Sequence, residues 1–138
     1  MRINYFFKAI FLILFIGFIN NSFVNAQENK LYTKADKGPY YIGGKPALEK
    51  FLKTNLKYPD EALTAKKTGV VEVSFIIETS GAITNIQISQ GIGYGCDEEA
   101  KRLIRKMPKW LPGSVGGKTV RILQKISIKF PLDENDVK

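Results

Sequence analysis

The chain has 138 residues, with 21 Lys and Arg against 13 Asp and Glu, and a net charge of +8. It has no His, which excludes Ser-His and Cys-His nucleophilic catalysis and histidine-bound metal sites. A single cysteine, Cys96, excludes a disulfide within the chain.

The first 26 residues have the three-part pattern of a secretory signal peptide. Arg2 and Lys8 form a basic start, an apolar run covers 9–19, and the segment ends in Val24-Asn25-Ala26. This pattern predicts cleavage before Gln27 and an exported protein. The alternative is an uncleaved membrane anchor, but a spanning helix needs about 20 apolar residues. The uninterrupted run has only 11.

Removing 26 of the 138 residues leaves 112, which is enough for one folded domain. Because Arg2 and Lys8 would be lost, the net charge would fall to +6. This excess favours anionic partners, although basic and acidic residues are interspersed along the chain. Nucleic acid is not the expected partner of an exported protein.

The exported part divides into a tether at 27–38, a domain at 39–132 and a polar tail at 133–138. Apolar residues at helical spacing predict a helix from Pro46 to Leu56 and a short helical turn before Gly69. Two alternating runs, 70–78 and 82–90, predict a hairpin around Thr79-Ser80-Gly81. A third alternating run covers 118–130.

Between the hairpin and the last run lies the best-marked helix, which begins at Cys96. Asp97, Glu98 and Glu99 occupy its first turn, where the helix dipole favours acids. Pairs at i,i+4 are expected from Asp97 to Lys101 and from Glu98 to Arg102. The apolar stripe comprises Ala100, Leu103, Ile104 and Met107, and Pro108 ends the helix.

The order helix, strand, strand, helix, strand predicts an α+β fold. Two helices would cover one face of a three-stranded antiparallel sheet in a two-layer domain. Such a sheet has two open edges. The last strand carries Lys and Arg on its outer face, which is a usual defence against unwanted edge pairing.

No motif predicts catalysis, a metal or a cofactor. The loop 91–95 resembles a nucleotide-binding Gly-x-Gly-x-x-Gly motif, but Cys96 stands where the third glycine belongs. Asp97, Glu98 and Glu99 are consecutive on a helix and diverge by about 100°, so they do not converge on one substrate. We therefore expect a protein that is not an enzyme.

Three other residues have both a structural and a functional interpretation. Cys96 could be a reactive thiol at a helix N-terminus, but a small residue filling space is favoured. Tyr58 and Trp110 could form a binding surface. The favoured interpretation is that Trp110 covers the core and that Tyr58 fixes the first helix.

Several short motifs in this order resemble the C-terminal domain of TonB energy transducers, in the version common in Bacteroidetes. They are Tyr58-Pro59-Asp60-Glu61-Ala62, the run from Gly69 to Phe75, Gly81, Asp97-Glu98-Glu99-Ala100, Met107 to Gly113 (with Pro108, Trp110 and Pro112), Gly117-Lys118 and Phe130. The resemblance extends from about Pro39 to Leu132 and implies the same α+β fold.

The resemblance implies a role in transport across the outer membrane and, together with the signal peptide, a periplasmic location. Domains of this family bind a short extended peptide of the receptor, the TonB box, along the last strand of the sheet, by β-augmentation. On this sequence the docking edge would run from Val120 to Phe130. The partner-binding residues implied are Val120, Arg121, Ile122, Leu123, Gln124, Lys125 and Ile126.

Two alternatives remain beside this TonB-like binding module. An inner-membrane-anchored transducer would couple to an ExbB–ExbD-like motor, although the tether has only 12 residues and no proline. The net charge of +6 suggests a structural module attached to the cell wall. An open edge strand could also pair with a second copy of the chain and form a homodimer.

Overall fold

The computed structural model describes residues 30–130. The predicted signal peptide (1–26) and polar tail (133–138) lie outside the described residues. The helices of this range are α1 (Gly44–Asn55), α2 (Asp60–Thr64) and α3 (Cys96–Lys106). Its strands are β1 (Leu31–Tyr32), β2 (Gly69–Ile77), β3 (Ile83–Gln90), β4 (Ser114–Val115), β5 (Lys118–Thr119) and β6 (Arg121–Phe130).

The predicted α+β class is confirmed, but the sheet differs from the prediction. It has four strands in the order β1-β6-β2-β3 and is mixed, because β1 pairs parallel with β6. The pairs β2–β3 and β2–β6 are antiparallel, as expected. The expectation of a three-stranded antiparallel sheet is therefore wrong in strand number and at one edge.

The extra strand lies in the segment 27–38, which the sequence indicates as a structureless tether. Leu31 and Tyr32 form β1, and Lys37 makes a further bridge to Ser114. Two residues are too few to show a period of 2, so this strand has no periodic signal in the sequence.

The last predicted strand is also divided. The run 118–130 forms β5 and β6, and Val120 lies between them, outside both strands. The β5 strand pairs with β4 around Gly116-Gly117 in a separate two-stranded sheet. The alternation of apolar residues continues through this break, which is why the sequence indicates one strand.

The core lies between the sheet and the helices. Val71, Val73, Phe75 and Ile77 point from β2 into this layer, and each is fully buried. From α3, Ala100, Leu103 and Ile104 meet them, also fully buried. The predicted apolar faces of β2 and α3 are therefore confirmed. Leu48, Phe51 and Leu52 of α1 pack against this cluster while partly exposed.

Candidate functional site

Strand β6 joins the core sheet through a regular ladder with β2. Nine consecutive residue pairs run from Gly69 opposite Phe130 to Ile77 opposite Ile122, with no register break. A regular strand presents its remaining backbone N–H and C=O groups at even spacing along its other edge. The structure therefore offers this second edge of β6 as a template for pairing.

Part of that second edge is already covered by the chain itself. Leu31 pairs with Arg121 and Tyr32 with Ile122. Tyr32 is half-buried and packs against the core, whereas 42% of the Leu31 surface is exposed. After Tyr32 the chain leaves the sheet, so β1 covers only the first two residues of β6.

The segment after β1 is held by backbone hydrogen bonds to the region before β6. The N–H groups of Asp36 and Lys37 donate to the carbonyl of Ser114 at 3.0 and 3.2 Å. Tyr40 and Leu111 exchange two hydrogen bonds of 2.9 Å each. We call residues 31–41, fixed in this way, the N-terminal strap.

The predicted partner-binding residues fall into two groups. Val120 is buried, and its N–H donates to the Gly113 carbonyl at 2.9 Å. Arg121 and Ile122 pair with the N-terminal strap. The expectation of an open edge over the whole of 120–130 thus needs correction at its first three residues.

The second group lies beyond the strap. Leu123, Gln124, Lys125 and Ile126 follow the last residue that β1 covers, and the strand continues to Phe130. Within residues 30–130, no strand pairs with this edge of β6 after Ile122. We call Leu123–Phe130 the unpaired edge.

Arg121 is held at the start of β6 by the end of β2. Its Nε donates to Glu78 Oε2 at 2.6 Å, and its Nη2 donates to Oε1 at 3.0 Å. The Thr84 hydroxyl donates to the same carboxylate. The hydrogen bond from Arg121 lowers the pKa of Glu78, against the opposing effect of burial. This guanidinium therefore has a structural partner within the chain.

The opposite edge of the sheet, β3, is a poorer template. Its pairing with β2 shifts register twice, between Glu72 and Val73 and between Ser74 and Ile76. Asn85 adopts a positive φ of 49° at this irregular stretch. Bulges of this kind bend a strand and interrupt the spacing of its hydrogen-bonding groups. The backbone groups are therefore regularly spaced on β6 and irregularly spaced on β3.

The three acids of α3 have structural partners. Asp97 accepts hydrogen bonds from the N–H of Ile92 at 2.9 Å and of Gly93 at 3.3 Å, which ties the preceding loop to the helix. Glu98 pairs with Lys101 at 2.8 Å and Glu99 with Arg102 at 2.6 Å. Both pairs are at i,i+3, so the predicted i,i+4 pairs do not form.

Glu99 differs from its neighbours because it is buried, with 8% of its surface exposed. It also accepts the N–H of Lys57 at 2.7 Å, and Arg102 donates to the carbonyl of Asn55 at 2.7 Å. The pair therefore links α3 to the connection between α1 and α2. Amphipathic periodicity gives no signal for this contact between distant segments.

Trp110 belongs to the core, as expected. It is 5% exposed and makes edge contacts with Tyr41 and Phe75, at centroid distances of 5.3 and 5.8 Å. Tyr58 is partly buried, and its hydroxyl donates to the carbonyl of Lys67. Its ring meets Phe130 edge-on at 5.8 Å. Tyr58 thus connects the end of α1 to the end of β6.

The remaining motif residues shape the backbone around these rings. Met107 leaves the helix in an extended conformation because Pro108 follows it. Pro59 precedes α2, and a side chain at Gly95 would meet it at 3.0 Å. At Gly113 a Cβ would lie 3.1 Å from the Lys37 carbonyl, and Pro112 is half-buried beside it. These residues therefore fit structural roles.

Cys96 is fully buried at the start of α3. Burial raises the pKa of its thiol, and the neighbouring Asp97 carboxylate adds to this rise. A neutral buried thiol is a poor nucleophile and a poor metal ligand. The structure therefore supports the space-filling interpretation.

Two further features, a membrane-spanning helix and a metal-binding cluster, are not found within residues 30–130. No helix there combines the length and apolar character needed to cross a membrane. No cluster of three or more Cys, Asp or Glu side chains in the same range could hold a metal ion.

A mixed four-stranded sheet with helices packed against its core defines a small α+β domain, in which one strand, β6, is paired over only part of its outer edge within residues 30–130. The family model described as the Gram-negative bacterial TonB protein C-terminal matches residues 54–132. The chain belongs to this family, whose proteins act in the cell envelope and engage outer-membrane receptors.

Solved structures similar to this chain are also TonB C-terminal domains. The solution structure of Helicobacter pylori TonB-CTD has 23% identity and a TM-score of 0.45, covering 63% of this chain and 78% of that one. For Pseudomonas aeruginosa TonB CTD the identity is 21% and the TM-score 0.43, covering 76% of this chain and 97% of that one. Comparison with curated proteins gives no match.

Proposed function

We propose that this chain is a periplasmic protein-binding module of TonB-dependent outer-membrane transport. It docks an extended peptide of an outer-membrane receptor along β6, as an added strand of the sheet. Backbone hydrogen bonds supply the affinity, and side chains on the two faces of the peptide supply selectivity.

The observation that carries this proposal is that the two edges of β6 differ in how they are paired. One edge pairs with β2 without a break over nine residues, and within the described range the other edge is unpaired from Leu123 to Phe130. Because the β2–β6 ladder has no register shift, the backbone groups of β6 keep the regular spacing that an added strand needs. Family membership supports a receptor as the source of the peptide.

The geometry also favours β6 over β3 as the docking strand. The register shifts on β3 and the positive φ of Asn85 interrupt its backbone spacing. An added strand there would lose part of its hydrogen-bond ladder.

Calorimetric titration of the full chain with TonB-box peptides from receptors of the same organism tests the proposal. Two N-methylated forms of one peptide make the test specific. Alternate N–H groups of an added strand point toward β6, so methylation of one alternate set removes the hydrogen bonds. Methylation of the other set leaves them intact.

We expect the unmodified peptide and one methylated form to bind, and the other methylated form to lose most of its affinity. Chemical-shift changes should centre on the unpaired edge. If both methylated forms bind equally, the peptide is not held as a strand. Absence of binding at high micromolar concentration, with folded protein, would contradict the proposed function.

Periplasmic location through a cleaved signal peptide is part of the proposal. Mass spectrometry of the native protein separates it from the anchored transducer. A chain that begins at Gln27 supports the periplasmic module. An intact Met1 in the membrane fraction supports the anchored alternative and coupling to an ExbB–ExbD-like motor.

A further inference from the structure

The unpaired edge has a defined length and one defined end. It starts after Ile122, where β1 stops, and includes the eight residues Leu123–Phe130. At about 3.3 Å per residue this is a template of roughly 26 Å. The N-terminal strap is anchored beyond it, through Ser114 and Leu111. A peptide of six or seven residues therefore fits without displacing β1.

The outer face of this edge carries positive charge. Lys125 and Lys129 are exposed, lie on the same face and are four residues apart, or about 13 Å. Their partners on β2 are Ser74 and Val70, which carry no charge. None of the ion pairs formed between described residues involves either lysine.

One acid of β2 lies near the two lysines. Glu72 pairs with Ser127, between them, and is diagonal to both. A single carboxylate cannot neutralise two ammonium groups, so the face retains an excess of positive charge. An added strand would place its outward side chains directly beside these lysines.

Beyond Gln124, the inner face of the same edge is apolar. Ile128 and Phe130 are 1% exposed, and Ile126 is half-buried against the core. Inward side chains of an added strand would lie next to them and extend the apolar layer. Along this edge, the two faces of a docked strand therefore meet opposite chemical environments.

We propose that the partner peptide of this edge alternates acidic residues, facing Lys125 and Lys129, with apolar residues facing Ile126 and Ile128. The bound peptide lies along the same edge of β6 as β1, beyond the point where β1 ends. This inference rests on the proposed function and specifies the chemistry of the peptide. The same lysines oppose self-association, because pairing of two β6 edges would bring the lysines of both copies together.

Three synthetic heptapeptides of one design test the charge requirement. Each has apolar residues at its inward positions, and the two outward positions four residues apart are Glu, Gln or Lys. Affinities for the full chain are measured by calorimetry at low and moderate salt. The TonB-box peptide of a receptor from the same organism is measured beside them.

The Glu peptide should bind about 3- to 10-fold more tightly than the Gln peptide at low salt, as two exposed ion pairs allow. Added salt should reduce the difference in affinity between the Glu and Gln peptides, because exposed charges are screened. The double variant Lys125→Glu/Lys129→Glu should reverse the preference in favour of the Lys peptide. The matched control Lys53→Glu/Lys109→Glu changes two exposed lysines outside β6 and should keep the original order.

Equal binding of the Glu and Gln peptides would overturn the charge inference, whereas continued binding of the receptor peptide would leave the proposed function standing. If no peptide binds, the proposed function itself is wrong. Amide exchange of Leu31 and Tyr32, the two residues of β1, tests the position of the peptide. Protection there should persist on binding, and its loss would show that the peptide displaces β1.

Discussion

Gly81 fills a position where no side chain fits. Its φ is +77°, and a Cβ there would overlap the backbone oxygen of Trp110. The N–H of Trp110 donates to the Gly81 carbonyl at 3.0 Å, so the two backbones cannot separate without losing this bond. The hairpin turn and the Trp-bearing loop therefore depend on one glycine.

Gly81→Ala should destabilise the fold by more than the free-energy cost of placing an alanine at a positive φ. Gly117 is the matched control, because it has the same φ of +77° and a Cβ added there would have no atom within 4 Å. Gly117→Ala should cost roughly 1–2 kcal/mol, and Gly81→Ala roughly 1–3 kcal/mol more, from overpacking. Urea unfolding measures both, and equal losses would refute the close approach to Trp110.

Glu99 and Glu98 are adjacent acids with different environments. Glu99 is buried and accepts hydrogen bonds from Arg102 and from the N–H of Lys57, whereas Glu98 is exposed and pairs with Lys101. Glu99→Ala should cost roughly 2–3 kcal/mol, because charged and backbone donors lose their acceptor. Glu98→Ala should cost less than about 0.5 kcal/mol. Similar unfolding midpoints for the two variants would contradict the linking role of Glu99.

At the scale of elements, the ends of β2 and β6 are joined by Glu78 and Arg121. The guanidinium lowers the pKa of Glu78, so the folded state favours the carboxylate. Its contribution to stability is full above the ordinary glutamate pKa, about 4.3. It is lost as the pH falls through the lowered folded pKa.

Glu78→Gln should therefore reduce stability at pH 7 and pH 5, and the difference from the parent chain should shrink as the pH falls toward 3. Urea unfolding at the three pH values measures this difference. Glu49→Gln is a suitable control, because Glu49 is exposed on α1 and lies 3.8 Å from Lys45. A Glu78→Gln effect that does not change with pH would contradict the ion pair.

At the scale of the whole molecule, Trp110 connects regions that are distant in sequence. Its ring contacts Tyr41 before α1 and Phe75 in the middle of β2, and its backbone meets the hairpin turn at Gly81. It is also the only tryptophan in the chain. Its fluorescence therefore reports on the assembly of the core.

Unfolding followed by Trp110 fluorescence should coincide with unfolding followed by circular dichroism, because one cluster joins the helices to the sheet. The emission should shift to longer wavelength as the buried ring meets water. Measurement of both signals across one urea series tests this expectation. A fluorescence transition at lower urea would show that the Trp-bearing loop detaches before the rest of the domain.

The sequence determined the features that depend on local pattern. Alternation in β2 and the apolar stripe of α3 predicted the core-facing residues of both elements, because these residues follow the period of each element. Pro108 predicted the end of α3 through a steric restriction on Met107. The ordered motifs also predicted the family to which the chain belongs.

Only the tertiary structure decided which parts of the sheet edges are covered. Strand β1 is two residues long and is stabilised by β6, so its own sequence carries no periodic signal. The break at Val120 depends on a hydrogen bond to Gly113, and the role of Glu99 depends on a backbone group 42 residues away. Contacts of this kind join segments that are distant in the chain. The limit of the unpaired edge at Leu123 therefore follows from the fold and not from local pattern.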